Sequence, residues 1–277
     1  MIPNLPVTAH DQAAPLAAGG TVAGRLPDFP TTASLRGKKV ILVIPPSPFL
    51  LDERVFVSLG ILRVAGALEA QGVTVGVLDL SGVDNYLDVV KGHFVGCDAD
   101  WVGITSTTPQ LPSAVQIARK VREVTPSTRL VLGGPHVTLT YSALKIERAK
   151  PTGIEGRAAR AAAVLEGIFD VLVSGDGEFA SALLCDEDCP KVIDADDNKG
   201  PLFMSNAQYE AMPPPARHLV DLGSYHYTVE GIRATSLIAQ LGCPFHCVYV
   251  RATLYGQKSN CKTNREIGRN REEFFNK

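Results

Sequence analysis

The sequence predicts an α/β protein built on a doubly wound parallel sheet with helices on both faces. Three observations predict it. Apolar runs of strand length, such as Lys39-Val40-Ile41-Leu42-Val43-Ile44, do not alternate with polar residues, as expected of strands buried on both faces. Segments with helical apolar spacing separate these runs. Glycine, proline and aspartate mark the changeovers, as in a chain of strand–helix units.

The elements follow in order from Lys38. The first strand ends at Pro45-Pro46, and a helix with apolar positions at helical spacing runs from about Val57 to Ala70, stopped by Gln71-Gly72. Val73 to Leu78 reads as the second strand and Trp101 to Thr105 as the third, with a helix from about Leu111 to Val124. Leu130 to Leu132 is the fourth strand, broken by Gly133-Gly134-Pro135. The Ala-, Arg- and Lys-rich stretch from Ser142 to Gly167 reads as one amphipathic helix with a solvated basic face. Phe169 to Val173 is the fifth strand, followed by Gly175-Asp176-Gly177-Glu178 and a short helix. Residues 1–36, rich in Ala, Gly, Pro and Thr, read as a flexible leader. The α/β domain spans 37–186, a Pro-, Asp- and Asn-rich linker spans 187–232, and a C-terminal segment spans 233–277. That last segment opens with a strand from Arg233 to Gln240.

Composition narrows the function. Of 277 residues, 45% are hydrophobic and 20% charged, the profile of an ordinary globular protein. A formal charge of −2 offers no electrostatic reason to expect a nucleic acid or anionic membrane as partner. No apolar run reaches the ~18 residues of a membrane span. The N-terminus lacks a basic segment followed by an apolar core, so the expected location is the cytoplasm. Six cysteines there stay reduced.

In a doubly wound sheet the ligand sits beyond the carboxyl ends of the strands. The segments there are 45–52, 79–85, 105–110, 133–138 and 174–178, which carry glycines, hydroxyls and carboxylates but no basic cluster. The turn after the first strand, Pro45-Pro46-Ser47-Pro48, has neither G-x-G-x-x-G nor G-x-x-x-x-G-K, which disfavours a standard dinucleotide or phosphate loop. Gly133-Gly134 and His136 admit a bland reading too: a strand-to-helix turn, and a polar residue near a strand end.

The C-terminal segment is more specific. Leu241-Gly242-Cys243-Pro244-Phe245-His246-Cys247-Val248-Tyr249 delivers two thiolates in a short loop after a strand, suited to iron. It resembles the cluster loop of radical S-adenosylmethionine enzymes, Cys-x-x-x-Cys-x-aromatic-Cys. Cys243 and Cys247 match the first two metal ligands and Tyr249 the aromatic, but the third ligand position holds Val250. A zinc site from Cys243, Cys247, Cys261 and His246 is the chemical alternative. Cys185 and Cys189 share the spacing but sit in an acidic loop that disfavours thiolates, and they read as incidental.

With that loop as anchor, residues from about 38 to 249 resemble the cobalamin-binding subfamily of radical S-adenosylmethionine proteins. The matching pieces are Val43-Ile44-Pro45-Pro46, Leu59-Gly60-Ile61-Leu62, Gly103-Ile104-Thr105-Ser106-Thr107-Thr108, Leu132-Gly133-Gly134-Pro135-His136, Gly175-Asp176-Gly177-Glu178 and Pro215-Ala216-Arg217-His218-Leu219. The resemblance implies a flavodoxin-like cobalamin domain followed by the start of a radical barrel. It implies cofactor contacts at Pro45, Asp79, Thr105, Ser106, Thr107, Gly133, Gly134, Pro135, Gly175, Gly177 and Glu178. It also implies a four-iron four-sulfur cluster and S-adenosylmethionine in the family, which Val250 puts in doubt here. No Asp-x-His-x-x-Gly motif occurs, so no protein imidazole is expected beneath the cobalt.

Only 27 residues follow Val250, polar and basic, and the expectation is a barrel truncated after its first strand and cluster loop. The function expected is cobalamin binding within a family of methyltransferases and radical rearrangement enzymes, without catalytic competence in this chain. No catalytic residue is assigned, and a partner protein supplying the missing barrel is one expectation. The alternative is a flavodoxin-like module for another ligand or a protein partner, with Cys243 and Cys247 vestigial or holding zinc.

Overall fold

The computed structural model of the chain describes residues 35–149, 156–180, 184, 189–197, 199–238, 240–241 and 262–263. Its α/β unit runs β1 (Lys39–Ile44), α1 (Leu59–Ala70), β2 (Thr74–Asp79), α2 (Tyr86–Phe94), β3 (Trp101–Thr105), α3 (Leu111–Val124), β4 (Arg129–Gly133), α4 (Pro135–Ala149), α5 (Arg157–Ile168), β5 (Val171–Gly175), α6 (Gly177–Ala180), β6 (Val192–Ala195) and α7 (Asn206–Glu210). The six strands form one sheet in the order β2-β1-β3-β4-β5-β6, every neighbouring pair parallel. The sequence's doubly wound, flavodoxin-like fold is the fold observed.

Strand alternation divides the core in two. Val40, Leu42, Ile44, Trp101, Val131, Val171 and Val173 face α1, which buries Leu59, Ile61, Leu62, Ala65 and Leu68 against them. Val43, Val102, Ile104, Leu130, Leu132 and Leu172 face the other layer. There α3 presents Ala114, Ile117, Ala118 and Val121, the i, i+3, i+4, i+7 stripe of an amphipathic helix. Burying several such side chains at about 1.5–3 kcal/mol each is what fixes each helix on its face.

Five features differ from the sequence reading. Helix α2 was not anticipated; only Val90 and Phe94 of its nine residues are buried, too few to show a period. The stretch read as one helix holds parts of two, α4 and α5. Glu147 of α4 accepts hydrogen bonds from the Ala158 and Ala159 N–H groups (3.0 and 3.1 Å), capping α5 with a carboxylate at its positive end. Leu35, placed in the leader, is fully buried against the α1 face.

The segment read as a linker contributes β6 to the sheet and α7, whose Ser205 and Gln208 form a reciprocal capping box. Its proline-rich part packs onto α1: the Ala216 N–H donates to the Leu62 carbonyl (2.9 Å), and Ala216 and Tyr225 are buried in the α1-side core. A Cβ on Gly66 would lie 2.4 Å from the Pro214 carbonyl oxygen, so the chain touches the helix directly. Finally, the strand expected over 233–240 is reduced to a hairpin, β7 (Thr228–Val229) with β8 (Ile232–Arg233), and to β9 (Gln240–Leu241), which pairs antiparallel with β10 (Lys262–Thr263). No helix among the described residues is long and apolar enough to cross a membrane.

Candidate functional site

The chain leaves β1 for β2 on one side and returns across it to β3 on the other. The reversal sets the switch point at the carboxyl ends of β1 and β3, the usual ligand position in such sheets. Gln110, at the start of α3, braces its two lips. The Gln110 amide nitrogen donates to the Pro45 carbonyl (3.0 Å) and Ser47 Oγ (2.7 Å). Its amide oxygen accepts from Thr107 N–H (3.1 Å) and Thr107 Oγ1 (2.9 Å). Both donors and the acceptor are thus satisfied, which holds the loop after β1 against the loop after β3. The Ser47 N–H donates to the Glu53 carboxylate (2.5 Å), closing the first loop on itself.

The turns after β3 and β4 are packed backbone to backbone. Ser106 is fully buried, its N–H donates to the Gly133 carbonyl (3.1 Å), and its own carbonyl accepts from His136 N–H (2.9 Å). The Ser106 hydroxyl donates to the Thr107 carbonyl (2.8 Å). Gly134 has φ +93°, and a Cβ there would stand 2.7 Å from Thr105 Oγ1 and 2.8 Å from Ser106 N, so only glycine fits. Pro135 opens α4, where its missing N–H costs nothing. The half-buried His136 ring sits with Nδ1 3.1 Å from Thr108 Oγ1, and burial lowers its pKa, leaving it neutral near pH 7. Thr138 Oγ1 accepts from Gly175 N–H (2.9 Å), tying the ends of β4 and β5 together.

Two of the expected contact residues carry their charge elsewhere. Asp79, at the end of β2, accepts from Arg54 Nη1 (2.8 Å), Ser81 N–H (3.0 Å) and the Tyr225 hydroxyl. Burial first, and the Asp79 carboxylate second, push the Tyr225 phenol well above its ordinary pKa. Arg54 also donates to Ser224 Oγ (3.0 Å), and His226 pairs with Asp52. Glu178, buried one residue beyond Gly177, forms an ion pair with buried Arg63 (3.1 Å), whose guanidinium lies 4.8 Å from the Tyr209 ring centre. Both carboxylates therefore fasten residues 209–226 to the α/β unit.

The tip of the loop after β1 presents apolar side chains outward, with exposed Asp52 paired to His226 at its edge. Phe49, Leu50, Leu51 and Phe56 of the loop after β1 are exposed, Leu51 entirely. Beside them lie Thr107, Thr108 and the Gly133–Gly134 backbone. That pairing suits a corrin, an apolar macrocycle edged with neutral amides, so the residues present fit cobalamin. A hollow of about 320 Å³ at the opposite, amino edge is lined by Arg122, Arg129 and Asp170. There the arginines are taken up by Asp170, the Thr128 carbonyl and the Leu184 carbonyl.

The residues expected to contact the cofactor, Pro45, Asp79, Thr105, Ser106, Thr107, Gly133, Gly134, Pro135, Gly175, Gly177 and Glu178, all lie at the carboxyl ends of the strands or in the turns that follow. Sequence reasoning missed Gln110, Arg54, Arg63 and Tyr225 as partners. Of these only Gln110, at the start of the helix after Thr107-Thr108, carried a local signal. Cys243, Cys247, Cys261 and Val250 lie outside the described residues. Among the described residues no group of three or more His, Cys, Asp or Glu is placed to hold a metal ion.

Comparison with known proteins agrees with this geometry. Residues 53–166 match the B12 binding domain. A Pyrococcus horikoshii protein named as an uncharacterized methyltransferase is 25% identical over 229 residues, covering 78% of this chain and 46% of its own length. The chain thus spans about half the length of the curated relative it matches. Among solved structures, the radical S-adenosylmethionine methyltransferase TsrM from Kitasatospora setae, with cobalamin and a four-iron four-sulfur cluster bound, aligns with TM-score 0.39 and 19% identity. That alignment covers 53% of this chain and 24% of TsrM. The α/β unit of this chain is thus a flavodoxin-like fold whose residues 53–166 match the B12 binding domain.

Proposed function

We propose that this chain holds cobalamin at the carboxyl rim of its sheet as the cofactor-binding part of a cobalamin-dependent radical methyltransferase system. The observation that carries the reading is the B12 binding domain match over 53–166, which spans the loops after β2, β3 and β4 around the switch-point crevice. The methyltransferase name of the Pyrococcus horikoshii relative supports the reaction class. Bound cobalamin supplies a cobalt centre that can carry a methyl group between donor and acceptor.

The residues act by shape and solvation. Phe49, Leu50, Leu51 and Phe56 cover an apolar macrocycle face and exclude water from it. Gly134 lets the turn after β4 pack directly on Thr105 and Ser106, and Thr107 and Thr108 offer neutral hydrogen bonds to the amide edge of the corrin. Gln110 keeps the two lips of the crevice at fixed spacing, so little ordering remains to be done on binding. Cys243 and Cys247 offer two thiolates and Val250 none, one short of the three that hold the cluster in the family the sequence resembles. On this reading the residues present bind cobalamin without cleaving S-adenosylmethionine.

The test is anaerobic reconstitution of the full chain with hydroxocobalamin, iron and sulfide, followed by gel filtration and absorption spectroscopy. The expected result is stoichiometric corrin bands in the protein peak, without the broad thiolate-to-iron absorption near ~400 nm and without S-adenosylmethionine cleavage. A colourless peak overturns the cobalamin reading. A cluster that cleaves S-adenosylmethionine overturns the role given to Val250.

A further inference from the structure

We propose that His136 is a cofactor-binding residue whose Nε2–H donates to the phosphate-bearing tail of cobalamin; this rests on the cobalamin reading above. Cobalamin has two chemically distinct parts: the corrin with its neutral amides, and a nucleotide tail joined through a phosphodiester with one negative charge. The apolar tips after β1 suit the first part. The second needs a hydrogen-bond donor, and the nearby cations are already committed, Arg54 to Asp79 and Arg63 to Glu178.

His136 is a rim side chain with donating capacity toward such a group, and the only imidazole in the turns after β3 and β4. Its main chain is pinned on both sides, the N–H donating to the Ser106 carbonyl (2.9 Å) and the carbonyl accepting from Thr140 Oγ1 (2.8 Å). Its ring is oriented by Thr108 at Nδ1 (3.1 Å). The tautomer assigned is the one in which the Thr108 hydroxyl donates to Nδ1, which puts the proton of the neutral imidazole on Nε2, a nitrogen with no protein partner among the described residues. His136 also stands in the first turn of the 15-residue α4, where the helix dipole favours an anion. Its turn follows β4, two strands from β1, so roughly 10 Å separates it from the apolar tips at ordinary strand spacing. A ligand whose macrocycle rests on the apolar tips near β1 has its tail within reach of β4 at that distance.

Cobinamide, which has the corrin but lacks the nucleotide tail, separates this role from a general one. Affinities of the full chain for hydroxocobalamin and aquocobinamide would be measured by absorption titration for wild type, His136→Ala and His136→Gln. The expected result is about tenfold weaker cobalamin binding by His136→Ala, the scale of one hydrogen bond to a charged group, with cobinamide binding unchanged. His136→Gln, whose amide can donate, recovers part of the loss. Equal losses for both ligands, or no loss for cobalamin, overturn the proposal while leaving cobalamin binding intact. A nitrogen splitting in the paramagnetic resonance of bound cob(II)alamin that disappears in His136→Gln also overturns it, by placing the imidazole on cobalt. Wild type that binds neither ligand removes the cobalamin reading and this one with it.

Discussion

The two sides of the carboxyl rim are built by opposite means. On the β3–β4 side, Thr105, Ser106, Gly134 and His136 are locked by backbone hydrogen bonds and contain no ion pair. Toward the α1 face, Asp79 with Arg54 at the end of β2 and Glu178 with Arg63 beyond β5 are ion pairs, and each also engages a tyrosine from beyond residue 205. The first side exposes neutral groups and close backbone to a ligand. The second turns its charges inward to hold residues 209–226 on the α1 face. Carboxylates at a strand end thus read alike in sequence whether they meet a ligand or another part of the chain.

The largest effect expected from separating the two sides is on the Glu178 pair. Glu178→Ala leaves the buried Arg63 guanidinium uncompensated, which costs about 3–5 kcal/mol of stability in chemical denaturation. Protein that remains folded should still bind cobalamin, because Glu178 faces α1 and not the crevice. Replacing both partners, Arg63→Met with Glu178→Leu, should return most of the stability, since an apolar pair of similar volume needs no desolvation. If Glu178→Ala abolishes cobalamin binding in protein that is still folded, the carboxylate belongs to the ligand side after all.

Gly134 tests the opposite side. Gly134→Ala forces a side chain into φ +93° and against Thr105 Oγ1, with a cost of about 2 kcal/mol in strain and displaced backbone. The displaced turn is the one that meets the cofactor, so cobalamin affinity should fall by more than the stability loss accounts for. Full affinity in this variant would move the cofactor away from β4.

Most of the sheet was legible because β1 to β5 are apolar runs that are buried on both faces. Strand β6 was not, since Val192-Ile193-Asp194-Ala195 alternates over four residues beside an acidic, proline-containing stretch. The glycines and threonines of the site stood out as a cluster because each lies next to a strand end. Their braces did not. Gln110 meets Pro45 across 65 residues and Tyr225 meets Asp79 across 146, and no local pattern encodes partners at such separations. The connector was misread for a related reason. Prolines exclude helix and central strand, but Ala216 and Tyr225 can still pack against α1 without either.

The smallest expected effect is an acid titration that resolves the two sides by pH. Burial lowers the pKa of His136 and of His93, so the unfolded chain binds protons on these groups before the folded one does. Stability should therefore decline as pH falls below about 6.5, the ordinary imidazole value, and level off once the depressed folded values are passed. On the other flank, the hydrogen bond from His226 lowers the pKa of Asp52. Its contribution is present above the ordinary carboxylate value of about 3.9 and is lost as pH falls through the depressed one. Denaturation midpoints measured from pH 8 to 3 should show the first decline shrinking in His136→Gln and persisting in Asp52→Asn. With cobalamin bound, a proton on His136 still leaves Nε2–H able to donate, so the ligand-bound form should lose less stability across that first step. An identical decline with and without cobalamin would mean that the His136 ring does not sense the ligand.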